Sequence, residues 1–258
     1  MTAATTERPV TLTQLRGAWA AVTSGVFDAA GADWDQVPVD VVVVGAHGGS
    51  GATTMALAIA TAGNGRVLEL ATARTGGLVA ASTAEQGVTA TGWRRGTRGV
   101  VVIDYLDQWQ CGHIPAPEPV AGGAGVTVVD LADAACGTPL ISHARALLDR
   151  ACLVVVTAAA TVPGMRHLGV ALEVLEGGPL SVAVLGPARK RWPKPTAAAL
   201  PAPARALERD GRLVVLPHHN DLAVYGLTPQ PLPKAVLDTA NELLRPVLVA
   251  GSTLERTQ

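Results

Sequence analysis

Aromatic residues and lysines are scarce in this chain of 258 residues. Five Trp, two Tyr and one Phe make up 3% of it, and only three of its 20 cationic residues are Lys. These 20 Lys and Arg nearly balance 21 Asp and Glu, so the formal net charge is -1. A chain without an excess of either sign has no global field that attracts nucleic acid or an anionic membrane. Binding to either would require a local basic surface.

Cysteine is equally sparse. Cys111, Cys136 and Cys152 are odd in number, far apart and in no CxxC pair, which argues against a disulfide framework or a zinc site. The first 14 residues lack the basic stretch followed by an apolar one that a secretory leader has. No apolar run reaches the roughly 18 residues that a membrane span needs. These absences predict a cytoplasmic protein without a transmembrane segment.

Short Val-rich runs, each followed by a turn and a helical stretch, recur along the chain. Their hydrophobicity is continuous rather than alternating, which is typical of parallel strands covered on both faces. We therefore predict an α/β fold with a mostly parallel central sheet of about seven strands and helices on both faces. The predicted strands cover residues 39–44, 66–70, 100–103, 126–129, 152–156, 180–185 and 213–216, and the predicted helices residues 11–30, 53–62, 140–150, 162–176, 197–208 and 233–249.

The same pattern predicts the domain organisation. Residues 1–36 form an N-terminal tail and helix, residues 37–250 one α/β domain, and residues 251–258 a C-terminal tail. Within the domain, residues 114–125 and 188–204 are rich in Pro, Gly or small residues, which predicts surface loops.

A glycine-rich segment, GAHGGSGATT at residues 45–54, follows the first predicted strand and leads directly into a helix. Such a turn presents unpaired backbone N–H groups and the positive end of the helix dipole, which together bind anions such as phosphate. A hydroxyl at the helix start can also coordinate a magnesium ion bound to that phosphate, and Thr53 and Thr54 supply one here. The sequence thus predicts a phosphate-binding loop.

Two kinds of nucleotide-binding loop compete for this segment. With Gly45, Gly48 and Gly51 read as GxxGxxG, it resembles the dinucleotide loop of epimerase-like Rossmann proteins, which bind NAD(P). That interpretation requires an acidic residue at the end of the second strand, which instead ends in LATA from Leu70 onward, and a YxxxK pair, which is absent. A Rossmann-type NAD(P)-binding protein is therefore the weaker alternative.

Read as HGGSGATT, the loop resembles the deviant Walker A loop of the ParA/MinD-type ATPases, KGGxGK[ST][ST]. VTVVDLAD at residues 126–133 resembles their Walker B segment, and VVLPHHNDLAVYGLTP at residues 214–229 resembles the late strand that ends in Pro ahead of the adenine pocket. The similarity covers about residues 38–250 and implies a ParA/MinD-like P-loop domain that binds ATP or ADP with Mg²⁺. The residues that it implies for the nucleotide are Gly48, Gly49, Ser50, Gly51, Ala52, Thr53, Thr54 and Pro217, and those for the metal are Thr53 and Asp130.

The chain departs from this family pattern at its charged positions. The signature lysine, which reaches across the family's dimer to the partner's nucleotide, falls on His47, and the lysine that bridges the β- and γ-phosphates falls on Ala52. The acidic pair expected after the second strand falls on Ala71 and Ala73, and the Asn that contacts adenine falls on Gly186. A cation that meets the charge developing in phosphoryl transfer is worth about 10³ to 10⁵ in rate. We therefore expect ATPase activity to be weak or absent.

The resemblance implies a degenerate ATPase that acts as a regulatory or positioning partner of a larger assembly. Secretion, conjugation and partition machines are the processes it suggests, and the composition suggests an actinobacterial element. A homodimer is one expected state. The alternative is an active ATP-dependent dimerising switch in which Arg74 or a partner's arginine replaces the lost cations.

Several other polar residues are weaker candidates. Asp104 follows another buried strand and competes with Asp130 for magnesium. Nucleic acid binding is expected only through the basic residues 189–194, with residues 93–98 as a second, weaker cluster. The adjacent His218 and His219 lie where the family's nucleotide pocket closes, but they have no Cys or carboxylate at metal-ligand spacing.

Overall fold

The computed structural model describes residues 32–70, 77–106, 114–123, 125–131 and 141–255. The helix predicted over residues 11–30 lies outside these described residues. So do Cys111, Cys136, Ala71, Ala73 and Arg74.

A sheet of nine strands runs through the described part of the chain. The strands are β1 (Val41–Gly45), β2 (Arg66–Glu69), β3 (Ala84–Val88), β4 (Arg94–Arg98), β5 (Val101–Tyr105), β6 (Thr127–Asp130), β7 (Leu153–Ala159), β8 (Leu180–Gly186) and β9 (Leu213–Pro217). Their order is β3-β4-β5-β2-β6-β1-β7-β8-β9. β4 pairs antiparallel with both β3 and β5, and the other neighbours are parallel. The predicted α/β fold with a mostly parallel sheet is confirmed, and all seven predicted strands are present.

The two additional strands, β3 and β4, have a different composition from the other seven. β3 lies at one edge of the sheet, and all of its residues are exposed. The sequences AEQGV and RRGTR contain no apolar run, so the hydrophobic pattern does not predict them. The parallel strands, by contrast, are covered on both faces, and Val41, Val42, Val43 and Val44 are each at most 1% exposed.

Seven helices complete the described fold. They are α1 (Ala52–Ala62), α2 (Ile141–Arg150), α3 (Val162–Val174), α4 (Lys194–Ala198), α5 (Ala202–Arg209), α6 (Asn220–Tyr225) and α7 (Lys234–Glu255). The core on one face of the sheet contains residues of α1 and α7, and the core on the other face contains residues of α2, α3 and α5. None of the described helices combines the length and apolar character needed to cross a membrane.

Two predicted boundaries around α4 and α5 are wrong. The single helix predicted over residues 197–208 is interrupted between Ala198 and Ala202, because the residue before Pro201 disfavours helical backbone angles. The predicted loop over residues 188–204 contains a 3-10 turn (Arg189–Arg191) and α4. The last helix also continues to Glu255, beyond its predicted end at residue 249.

Candidate functional site

The glycine-rich segment of residues 45–54 forms a turn that leads from β1 into α1. Gly49 and Gly51 have φ angles of 74° and 88°, in the left-handed region that favours glycine. A Cβ on Gly51 would also lie 3.0 Å from Leu216 Cδ2. No side chain of the described residues caps the start of α1 at Gly51. The first N–H groups of this helix therefore remain available to an anion.

Two hydrogen bonds to Thr157 hold the turn against β7. The hydroxyl groups of Ser50 and Thr157 lie 2.8 Å apart, and the Ala46 N–H donates to the Thr157 carbonyl at 2.8 Å. Both Ser50 and Thr157 are buried. The Ser50 hydroxyl thus anchors the loop to β7.

His47 bonds to the backbone of its own chain through both ring nitrogens. Its Nε2 accepts the Ala159 N–H at 3.1 Å, and its Nδ1 lies 2.8 Å from the Gly48 carbonyl oxygen. Because Nε2 accepts, the proton must be on Nδ1, which donates to Gly48; this assigns the neutral tautomer. His47, at the position of the family's signature lysine, is therefore hydrogen-bonded to the loop and to β7.

Two adjoining cavities surround the loop. The phosphate-side cavity, of about 440 Å³, is lined by residues 47–54 together with Gly77 and Leu227. Its lining includes Gly48, Gly49, Ser50, Gly51, Ala52, Thr53 and Thr54, the residues of the loop for which the sequence predicts a nucleotide-binding role.

The base-side cavity, of about 380 Å³, contains Pro217, His218 and His219 among mostly apolar neighbours. Gly49, Gly51 and Thr54 line both cavities. The two cavities therefore adjoin at the start of α1.

Gly186, which aligns with the adenine-contacting Asn, lies close to Ala160. A Cβ on Gly186 would be 2.5 Å from the Ala160 Cβ, so a side chain does not fit there without a shift. Gly186 is not among the residues that line the base-side cavity, whose polar side chains include His218 and His219. These histidines are not part of a metal cluster, because the described residues contain no group of three or more suitable ligands.

Asp130 ends β6, the strand beside β1, and is fully buried. It is in register with Val43 on one side and Glu69 on the other, and Val43 belongs to the core that contains α1. Residues in register share a face of a parallel sheet. Asp130 and Glu69 thus both point to the side of the sheet on which α1 begins.

Glu69 contacts the backbone of Gly77, which lines the phosphate-side cavity, and the sequence does not predict this contact. Its Oε1 accepts the backbone N–H groups of Gly77 at 2.9 Å and Leu78 at 3.2 Å. Burial, and then the charge of Asp130, raise the pKa of Glu69 from 4.5 to about 7, against the opposing effect of the two hydrogen bonds. The sequence signal for Glu69 is a charged residue inside the apolar run VLEL. The family pattern instead places the acidic residues at positions 71 and 73.

Asp104 points to the opposite face of the sheet, in register with Leu68. There it accepts hydrogen bonds from Arg66 Nε at 2.6 Å and Arg95 Nε at 2.8 Å. Asp104 is therefore engaged by two guanidinium groups away from α1. This arrangement leaves Asp130 as the aspartate on the side of the glycine-rich loop.

The two basic clusters have different environments. In residues 93–98, Trp93 is buried, Arg95 bonds to Asp104 and Arg98 is buried, so the expected basic surface is not formed. In residues 189–194, Arg189 bonds to Glu208 with an Nε–Oε1 distance of 2.5 Å and lies 4.4 Å from the Trp192 ring centre. The remaining cations of that cluster, Lys190, Arg191 and Lys194, are exposed.

The strand order distinguishes between the two kinds of nucleotide-binding loop. In the dinucleotide-binding Rossmann order the first two strands are neighbours, whereas here β6 with Asp130 lies between β1 and β2. The acidic residue of β2, Glu69, is buried and bonded to backbone N–H groups. It is therefore not presented to a ribose.

Several solved structures are similar to this fold. Apo McdA from Cyanothece has a TM-score of 0.55 at 13% identity, over 81% of this chain and 99% of that chain. The MinC:MinD cell division protein complex of Aquifex aeolicus has a TM-score of 0.53 at 15% identity, over 80% of this chain and 96% of that chain. The chain has the ParA/MinD-type P-loop ATPase fold.

A further structure with the ParA/MinD-type fold is an ATP complex of a Cyanothece McdA variant. Its TM-score is 0.55 at 12% identity, over 82% of this chain and 96% of that chain. The sequence matches no protein-family model and no curated protein. At these identities, the likeness establishes the ParA/MinD-type fold alone.

Proposed function

We propose that the protein binds ATP or ADP with Mg²⁺ and acts as a nucleotide-dependent regulatory or positioning partner of a larger assembly, with slow or absent hydrolysis. The supporting observation is that the two cavities adjoin at Gly49, Gly51 and Thr54. One cavity offers backbone N–H groups at a helix start, which suit phosphates. The other is mostly apolar with a few polar groups, as base pockets are.

Thr53 and Asp130 are the residues proposed to hold the metal. Thr53 lines the phosphate-side cavity, whereas Thr54 lies between the two cavities. A hydroxyl and a carboxylate are the hard oxygen donors that Mg²⁺ prefers. When bound, Mg²⁺ would neutralise charge on the β- and γ-phosphates.

Weak binding and slow hydrolysis follow from the missing cations. None of the described residues that line the two cavities is Lys or Arg. A hydrogen bond to a charged group contributes about 1.5 to 3 kcal/mol in proteins in general. The loss of each lysine is therefore expected to weaken nucleotide binding by about one to two orders of magnitude. The backbone N–H groups remain, which is why binding itself is retained in this proposal.

The similar structures support a nucleotide-linked role within an assembly. One is the MinC:MinD cell division protein complex, and another is an ATP complex of McdA. By analogy, we propose a cytoplasmic protein that works with a secretion, conjugation or partition component, either alone or as a homodimer.

Isothermal titration calorimetry with ADP, with and without Mg²⁺, tests this proposal. We expect saturable binding of ADP that Mg²⁺ strengthens, and no binding of NAD. Thr53→Val should abolish the Mg²⁺-dependent gain, because it removes the hydroxyl and keeps the shape of the side chain. Thr61→Val is the matched control, since Thr61 lies near the other end of α1 and bonds to the Leu57 carbonyl.

Three outcomes would contradict parts of the proposal. If the protein binds neither ADP nor ATP, the proposed nucleotide site is excluded. An unchanged Mg²⁺ effect in Thr53→Val would place the metal elsewhere. ATP hydrolysis by the isolated protein at an ordinary rate of about 1 s⁻¹ or more would exclude a degenerate site, whereas hydrolysis only with a partner would favour the switch with an arginine supplied in trans.

A further inference from the structure

Arg98 in β4 carries a buried side chain outside both cavities. Its Nη1 donates to the carbonyl oxygens of Thr228 at 2.7 Å and Ala81 at 3.3 Å. Its Nη2 donates to the carbonyl oxygen of Gln230. One guanidinium group thus joins three separate parts of the chain: strand β4, the segment of residues 77–81 and the loop of residues 226–230.

The two segments that Arg98 joins carry the far wall of the phosphate-side cavity. Gly77 begins the segment of residues 77–81, and Leu227 lies in the loop of residues 226–230; both line the cavity opposite the glycine-rich turn. A Cβ on Gly77 would lie 3.7 Å from Thr53 Cγ2 and 4.0 Å from Leu227 Cδ1. A small displacement of either segment would therefore change the space beside Thr53.

The chemistry of these contacts requires arginine. Burial lowers the pKa of Arg98, and carbonyl oxygens compensate a buried cation only if several are arranged around it. The planar guanidinium group supplies donors in several fixed directions, whereas a lysine ammonium group is a point charge on a flexible stem. The arrangement is thus specific to this side chain.

A second residue holds the same wall from the other end. Glu69 accepts the N–H groups of Gly77 and Leu78, while Arg98 donates to the carbonyl of Ala81. The segment of residues 77–81 is therefore fixed at its start by a carboxylate and at its end by a guanidinium group. Arg98 also extends this connection to the loop of residues 226–230.

We infer that Arg98 is a positioning residue for the phosphate-side cavity: it holds the segment of residues 77–81 and the loop of residues 226–230 in place, so that Gly77 and Leu227 form a fixed wall opposite the glycine-rich turn. The antiparallel strand β4 is thereby coupled to phosphate binding. The effect on nucleotide affinity rests on the proposed function. The effect of Arg98 on the structural order of residues 77–81 and 226–230 does not.

Hydrogen exchange followed by mass spectrometry tests the wall in the protein without nucleotide. Arg98→Met should raise the exchange rates of peptides that cover residues 77–81 and 226–230 about tenfold or more, and Arg98→Lys should have a smaller effect. Arg94→Met is the matched control, because Arg94 is on the same strand and is partly exposed; its exchange rates should equal those of the wild type. Unchanged exchange in Arg98→Met would overturn the inference. If Arg98→Met does not fold by circular dichroism, the comparison is made with Arg98→Lys.

Calorimetric titrations with ADP and with adenosine test the coupling to phosphate binding. Arg98→Met should weaken ADP binding about tenfold and leave adenosine binding within about twofold of the wild type. An equal loss for both ligands would show general loosening and overturn the positioning role. Unchanged ADP affinity together with raised exchange would overturn the link to phosphate. Absence of ADP binding in the wild type would contradict the proposed function instead, and the exchange experiment would then decide the inference alone.

Discussion

The buried carboxyl group of Glu69 links proton binding to folding. Its pKa is about 7 in the folded protein and 4.5 when it is solvated, so the folded state holds this proton more tightly than the unfolded state. The resulting stabilisation is complete below the unfolded value and is lost as the pH rises through the folded value. The difference between the two pKa values corresponds to about 3 kcal/mol.

Glu69→Gln should remove this pH dependence. The amide oxygen of Gln can still accept the N–H groups of Gly77 and Leu78, but the side chain no longer titrates in this range. We expect the free energy of unfolding of the wild type to fall relative to Glu69→Gln by about 3 kcal/mol between about pH 4 and pH 8, measured by urea denaturation. Glu242→Gln, at an exposed position of α7, should follow the wild type. Parallel profiles for the wild type and Glu69→Gln would contradict the raised pKa.

At the scale of elements, Asp104 joins the antiparallel strands to the parallel sheet. Arg66 in β2 and Arg95 in β4 both bond to this aspartate of β5, and the side chain of Asp104 is fully buried. Burial lowers the pKa of Arg66, and Asp104 opposes that effect. The buried Arg66 and the partly buried Arg95 therefore share one carboxylate.

Asp104→Asn should strongly destabilise the protein. Removal of the shared negative charge leaves the buried Arg66 cation without its carboxylate partner and takes the same partner from Arg95. Breaking a buried ion pair in this way costs about 3 to 5 kcal/mol. The control is Asp149→Asn, because Asp149 forms an exposed pair with Arg145 at 2.9 Å within α2, for which a loss below about 1 kcal/mol is expected. Urea denaturation measures both. A similar loss in both variants would show that the Asp104 network is not a main support of these strands.

The parallel part of the sheet is predictable from the sequence, because covered strands are continuous apolar runs. The antiparallel strands are not, since β3 is exposed and the Arg residues of β4 are stabilised by distant partners: Asp104 for Arg95, and carbonyl groups for Arg98. The same distant contacts explain why residues 93–98 resemble a basic surface in sequence and form none in the structure.

The candidate site likewise contains some residues that the local sequence predicts and others that it does not. The glycine-rich turn is local, so its residues are recognisable from their order alone. Glu69, Gly77 and Leu227 reach the site only through strand register and long-range contacts. No pattern within a few residues of any one of them indicates that they meet.

At the scale of the whole molecule, the site occupies the carboxyl ends of the central strands. The glycine-rich turn follows β1, Asp130 ends β6, Glu69 ends β2 and Pro217 ends β9. In open α/β sheets, ligands bind in the crevice outside these strand ends. The surface at this end of the sheet therefore contains the glycine-rich turn and the ends of β2, β6 and β9.

His47 determines what this surface offers to a second copy. Its ring bonds to Gly48 and Ala159 of its own chain, so it does not extend outward as the family's signature lysine does. We therefore expect that ATP with Mg²⁺ leaves the sedimentation coefficient of the wild-type protein unchanged in analytical ultracentrifugation. The double variant His47→Lys with Ala52→Lys, which restores both cations, should bind ADP at least about tenfold more tightly and should form a dimer when ATP is added. Dimerisation of the wild type on addition of ATP would mean that another residue bridges the two copies. Unchanged ADP affinity in the double variant would mean that the loop geometry, rather than the missing charge, limits nucleotide binding.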